Sequence, residues 1–146
     1  QSITDPAGMV VYMEYDDVGR EVKKVMNPQT VSSSSSSSGS SGSSSSYGPC
    51  PPSDDANVTI LTAYNADGNV SSITAVNAAT GNQTTQYVYG TTLTDSEIAS
   101  SLLKRYEIYP DAVDAGDRIA FQYNRRGDLV VTTDQNGTVH FYDFDK

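Results

Sequence analysis

Few side chains in this 146-residue sequence have types and spacing that suggest chemistry. His140 is the only histidine. A nucleophilic relay needs an imidazole within reach of both a nucleophile and an orienting acid. His140 instead falls in phase with Tyr142 and Phe144 along a stretch that reads as a strand, so it is expected to be a strand residue. Asp111, Asp114 and Asp117, with Gly116 among them, form an acidic cluster. Calcium takes several oxygen ligands, but a calcium loop spaces them at alternate residues rather than every third. A solvated acidic turn is the expectation, and no metal ligand is assigned. Cys50 is the only cysteine, so it can neither staple the chain to itself nor build a thiolate metal cluster. Its disulfide, if formed, joins two chains. Phosphate-binding loops, serine-nucleophile motifs and zinc spacings are absent from the sequence. No cofactor and no enzymatic activity are expected.

Covalent modification is the chemistry the composition favours. Residues 32 to 46 are thirteen serines and two glycines: Ser32, Ser33, Ser34, Ser35, Ser36, Ser37, Ser38, Ser40, Ser41, Ser43, Ser44, Ser45 and Ser46, with Gly39 and Gly42. Such a tract has nothing with which to form a core, and beside Pro49, Pro51 and Pro52 it has the composition of an O-glycan acceptor. Four Asn-x-Ser/Thr sequons begin at Asn57, Asn69, Asn82 and Asn136. Asn69 and Asn136 also fall at turn signals, and a chain rich in Asn, Ser and Thr produces sequons by chance.

The elements that hold these residues read as short strands. Ten tyrosines and no tryptophan accompany abundant Ser, Thr, Asn, Asp and Gly, a mixture of pleated-surface and turn formers. Nine Lys plus Arg against eighteen Asp plus Glu leave a net charge of -9, which repels phosphate backbones and makes nucleic acid an unfavourable partner. No apolar run approaches the ~20 residues of a membrane helix, so no membrane insertion is expected. The chain starts at Gln1 without a recognisable signal peptide, which suggests a mature product or an excerpt.

A hexapeptide recurs. Tyr15-Asp16-Asp17-Val18-Gly19-Arg20 aligns with Tyr64-Asn65-Ala66-Asp67-Gly68-Asn69 and with Tyr123-Asn124-Arg125-Arg126-Gly127-Asp128. Tyr89-Gly90 is a weaker copy and Phe144-Asp145-Lys146 a truncated one. The five aromatic anchors lie 49, 25, 34 and 21 residues apart. Removing the 25 residues of the Ser/Pro-rich stretch 32–56 from the first interval leaves 24, so the underlying unit is about two dozen residues. In Ile119, Phe121 and Tyr123 the apolar residues alternate as in a strand with one buried face, and Leu129 and Val131 resume the alternation after a turn. Asn124 is placed to start that turn and Gly127 to close it in the left-handed conformation. Asn136-Gly137 signals a further hairpin. The interval from Gly81 to Tyr89 is one residue longer than that from Gly137 to Phe144, which suggests a bulge. One short helix is expected: Thr94-Asp95-Ser96-Glu97 is a capping-box pattern, Ile98, Leu102 and Tyr106 fall on one helical face, and Pro110 stops it.

With its Tyr-Asp-x-x-Gly-Arg hexapeptide and degenerate copies, the sequence resembles YD-repeat (Rhs-type) proteins. Residues 83 to 146 are most similar to those of environmental bacteria, and the resemblance spans nearly all of the chain except 32–56. It implies an all-β array of antiparallel hairpins in a secreted or surface-attached protein. The expected organisation is a single β-repeat domain over residues 1–146, with the Ser/Gly/Pro-rich insertion 32–56 within it. Family members build shells or extended surface structures, and some carry a toxin. This chain is too short to close a shell. Asp5-Pro6 sits in a turn pattern and is not matched to the self-cleaving core of toxin-bearing members, so protease activity is not carried over. Both ends read as mid-repeat, with unpaired edges open to strand addition from a neighbour. The expected function is a structural subunit of an extracellular fibre or surface assembly. Its expected partners are other copies of itself or adjoining repeats of a longer chain, with covalent glycans. A fragment of a toxin-enclosing shell and a carbohydrate-binding adhesin with exposed Tyr platforms are the alternatives.

Overall fold

The computed structural model describes residues 1–4, 6, 10–26, 58–114 and 116–145. Among them are ten β-strands and no helix. The strands are β1 (Ser2–Thr4), β2 (Val10–Tyr15), β3 (Glu21–Met26), β4 (Val58–Tyr64) and β5 (Val70–Val76), followed by β6 (Gln83–Thr91), β7 (Ser100–Ile108), β8 (Ile119–Tyr123), β9 (Leu129–Thr133) and β10 (Val139–Phe141). They form one antiparallel sheet whose strand order is the chain order. Where short alternating runs are joined by tight turns, as at β2–β3, β4–β5, β8–β9 and β9–β10, each strand lies beside the one just completed.

The chain divides into two compact units. The first comprises Gln1–Leu61 and Ala75–Asn82. Here β2 pairs with β1 through Ser2↔Tyr12 and Thr4↔Val10, and with β3 through Val11↔Met26 and Glu14↔Lys23. Met26 is opposite Val58, so the chain leaves β3 and re-enters β4 at neighbouring positions. The second unit comprises Thr62–Thr74 and Gln83–Lys146. Here β7 is flanked by β6, with Val88↔Tyr106, and by β8, with Tyr106↔Ala120, and the ladder continues through β9 to β10.

Alternation along the strands predicts one buried face, yet among the described residues only Met13 and Thr91 are buried. The other strand positions are half-covered or exposed. Among the described residues, backbone ladders and cross-strand pairs, each pair contributing roughly 0.2–1 kcal/mol, therefore outweigh buried packing.

The helix expected from residue 94 onward is not formed: Thr92–Ala99 is a connection and Ser100–Ile108 is β7. Residues within that pattern take other partners. Asp95 accepts from the Thr92 amide (2.8 Å) and hydroxyl (3.0 Å) and lies against Arg105, with Nε 2.6 Å from Oδ2. That last contact is a charge pair rather than an aligned hydrogen bond, because Nε finds no hydrogen-bond geometry. Ser96 Oγ accepts from the Tyr123 amide (3.2 Å), and the Glu97 amide donates to the Tyr123 carbonyl (2.8 Å). With strands on both sides supplying ladder partners, the extended form of 100–108 satisfies more neighbours than a helix would. Tertiary pairing thus overrides the local capping signal.

Candidate functional site

The recurring hexapeptide folds each time into the same turn. In the first copy the Asp16 amide donates to the Arg20 carbonyl (2.9 Å) and the Gly19 amide to the Asp16 carbonyl (3.0 Å). Asp16 Oδ1 accepts from the amides of Val18 (3.1 Å) and Arg20 (2.9 Å). Gly19 has a φ of +84°. This is a three-residue hairpin loop closed by a left-handed bulge residue. Asn65 and Gly68 repeat it, with Gly68 donating to Asn65 (3.1 Å) and Asn69 to Asn65 Oδ1 (2.9 Å). Asn124 and Gly127 repeat it with both side-chain bonds, from Arg126 (2.9 Å) and Asp128 (3.0 Å). The tyrosine anchors Tyr15, Tyr64 and Tyr123 close the strands that enter these three turns. At Tyr15 and Tyr123 the strand register shifts, as a bulge requires.

A fourth copy has no tyrosine before it. Asp134 Oδ1 accepts from Asn136 (3.0 Å) and Thr138 (2.8 Å), and Gly137 donates to the Asp134 carbonyl (3.0 Å). The Asn136-Gly137 signal located this turn. Its organising residue is Asp134, and the Asx-x-x-Gly spacing shared with Asp16–Gly19 is the signal that identifies it. Tyr89 and Gly90 lie inside β6 rather than at a turn, at an irregularity in the β6–β7 register where Gly90 has a φ of +102°. Phe144 and Asp145 follow β10 outside any strand.

Charge reinforces two turns. Arg20 pairs with Asp16 (Nε 2.8 Å and Nη2 2.7 Å from Oδ2), and the Arg20 backbone amide is the leading influence holding the Asp16 carboxyl below its ordinary value. Asp128 is held low first by the Asn124 amide (2.9 Å) and then by Arg126. Across β6, β7 and β8, Lys104 Nζ lies 5.3 Å from the Tyr87 ring centre and 4.4 Å from that of Phe121, and it contacts Glu107 Oε2 at 2.6 Å. Tyr106 receives Arg118 at 3.7 Å and Arg105 at 4.8 Å. The Lys104 and Arg118 contacts link β7 to its neighbours, each worth about 0.5–1 kcal/mol at such exposure.

β1 and β10 are the outermost strands of this sheet. Gln1 and Met13 exchange two hydrogen bonds (2.8 and 2.7 Å), so by antiparallel alternation Ser2 and Thr4 turn their backbone groups away from β2. At the other edge Tyr142 donates to Val130 (3.0 Å), so Val139 and Phe141 turn theirs away from β9. Val139 and Phe141 are 45% and 79% exposed. Beside them Asn124, Arg126, Val130, Tyr142, Asp143 and Phe144 line a shallow open depression.

The remaining reactive residues are dispersed. His140 sits exposed on β10 opposite Thr132. Asp114 Oδ1 accepts from the amides of Gly116 (2.7 Å) and Asp117 (3.2 Å), and Asp117 Oδ2 from Val113 (3.2 Å), so these two carboxylates organise their own loop. Among the described residues no three metal-binding side chains converge. Asn82 and Asn136 are exposed at turns, whereas the Asn69 amide nitrogen is shielded from solvent and makes no hydrogen bond. The serines from Ser32 to Ser46, Cys50 and Asn57 lie outside the described residues. No family model matches the chain, and no curated protein matches it either.

Proposed function

We propose that this chain is a non-enzymatic structural repeat protein of the YD-repeat type, acting outside the cell as a subunit of a fibre or surface assembly. The observation that carries the reading is the same Asx-x-x-Gly turn built four times in one sheet. A hairpin array of this kind is extended by adding strands at its edges, and both edge strands have outward backbone groups at two residues. Copies join head to tail by strand pairing, and sugars on the serine-rich stretch coat the product. Purified chain is expected to form filaments visible by negative-stain electron microscopy. Its denatured, reduced mass should exceed that of the bare polypeptide by a ladder of sugar increments. A chain that remains monomeric at high concentration would sink the fibre reading, and a bare mass would sink the sugar coat.

A second reading, a glycan-binding adhesin, draws on the depression where Tyr142 and Phe144 lie beside Arg126 and Asn124. Aromatic faces and amide or guanidinium donors together suit a sugar ring. Glycan-array binding that disappears in Tyr142→Ala would favour it, and an array without hits would remove it.

A further inference from the structure

Neither edge strand carries a charged or proline guard against pairing, and the one safeguard each has is its length of three residues. β1 is Ser-Ile-Thr and β10 is Val-His-Phe, with no Lys, Arg or Pro in either, whereas Lys23 and Lys24 sit on the interior strand β3. The two edges also match. Each presents outward backbone groups at two residues two positions apart, Ser2 and Thr4 on β1 and Val139 and Phe141 on β10. Their side chains are complementary in size. On β1 the small Ser2 stands beside Tyr12, and on β10 Phe141 is 79% exposed.

We infer that β10 of one copy pairs antiparallel with β1 of a second copy in a single register, Val139 opposite Thr4 and Phe141 opposite Ser2. This deepens the proposed fibre and rests on that reading. In this register both hydrogen-bonding residues of each edge are used, giving four new backbone bonds, and all three residues of each strand overlap. Phe141 reaches over Ser2 toward Tyr12 of the second copy, and the small serine between the two rings leaves room for them. On the opposite face His140 meets Ile3 as a non-hydrogen-bonded pair, the pair type in which the strands approach closest. The contact is heterologous, so it leaves a free β1 and a free β10 at the two ends and does not close.

Cysteine cross-linking of the full-length chain tests the register. In a Cys50→Ser background, Ile3→Cys and His140→Cys are both exposed changes, and a non-hydrogen-bonded pair brings their Cβ atoms within disulfide range. Mild oxidation of the double variant is expected to give a ladder of dimers, trimers and longer species on a non-reducing denaturing gel, collapsing on reduction. Two outcomes overturn the register while leaving the fibre intact: filaments with no ladder, or a ladder from Ile3→Cys with Tyr142→Cys instead. A disulfide dimer from His140→Cys alone shows two β10 edges pairing with each other and overturns the head-to-tail contact. A single monomer mass by light scattering at high concentration overturns both this inference and the fibre reading.

Discussion

At Gly127 the backbone φ is +86°, and a Cβ built there would meet nothing within 4 Å. The cost of Gly127→Ala is therefore backbone strain alone, about 1–2 kcal/mol, and a drop of that size is expected in urea unfolding. The Asx position that opens each turn is equally specific, because its Oδ1 accepts backbone amides that the bulged loop leaves without ladder partners. At Asp16 the turn senses acid. The folded Asp16 carboxyl is held below its ordinary value of 3.8, first by the Arg20 amide. Its contribution is complete above that ordinary value and is lost as pH falls through the lower folded one. Asp16→Asn keeps the acceptor oxygen and removes the titration. Between about pH 5 and about pH 2, the unfolding midpoint of this variant should fall less steeply than that of the parent.

Among the elements, β7 shows what pairing adds to local preference. Lys104 is held between the Tyr87 and Phe121 rings and against Glu107, tying β7 to the strands on both sides. Lys104→Met should cost about 1–2 kcal/mol by losing these contacts and leaving Glu107 without its cation. Tyr123 gives a second tie, its hydroxyl donating to the Lys104 carbonyl (2.8 Å). Burial, with a smaller influence from Tyr89, raises the Tyr123 phenol above its ordinary value of 10.0. The neutral form is thus the folded form: its stability is complete below that ordinary value and is lost as pH rises through the folded one. Tyr123→Phe should remove this alkaline loss, seen in melting curves above about pH 10, at a cost of about 1 kcal/mol near neutrality for the lost hydrogen bond. The capping-box pattern at residues 94–97 misled because the Asp95 side chain bonds to Thr92 and pairs in charge with Arg105, while Ser96 Oγ bonds to the Tyr123 amide. Only the neighbouring strands determine which partners they find.

For the molecule as a whole, residues 27–57 are bracketed by two directly paired positions, Met26 and Val58. Replacing 27–57 with a short Asn-Gly turn should preserve the β-type circular dichroism spectrum. It should also raise stability by roughly 1–2 kcal/mol, since the entropic cost of closing a loop grows with its length. Loss of the folded spectrum would mean that the segment is part of the packing.

The turns were legible from residue spacing alone. Asx followed three residues later by Gly meets a steric requirement, a backbone acceptor followed by a left-handed residue, and needs nothing distant to satisfy it. The all-β class followed for the same reason, because alternating runs between such turns can only lie beside one another. Two features depended on contacts far apart in sequence. Ser100–Ile108 became a strand because β6 and β8 offered ladders on both sides. The predicted buried face stayed half-exposed because alternation specifies which side chains share a face, but not whether anything packs against it.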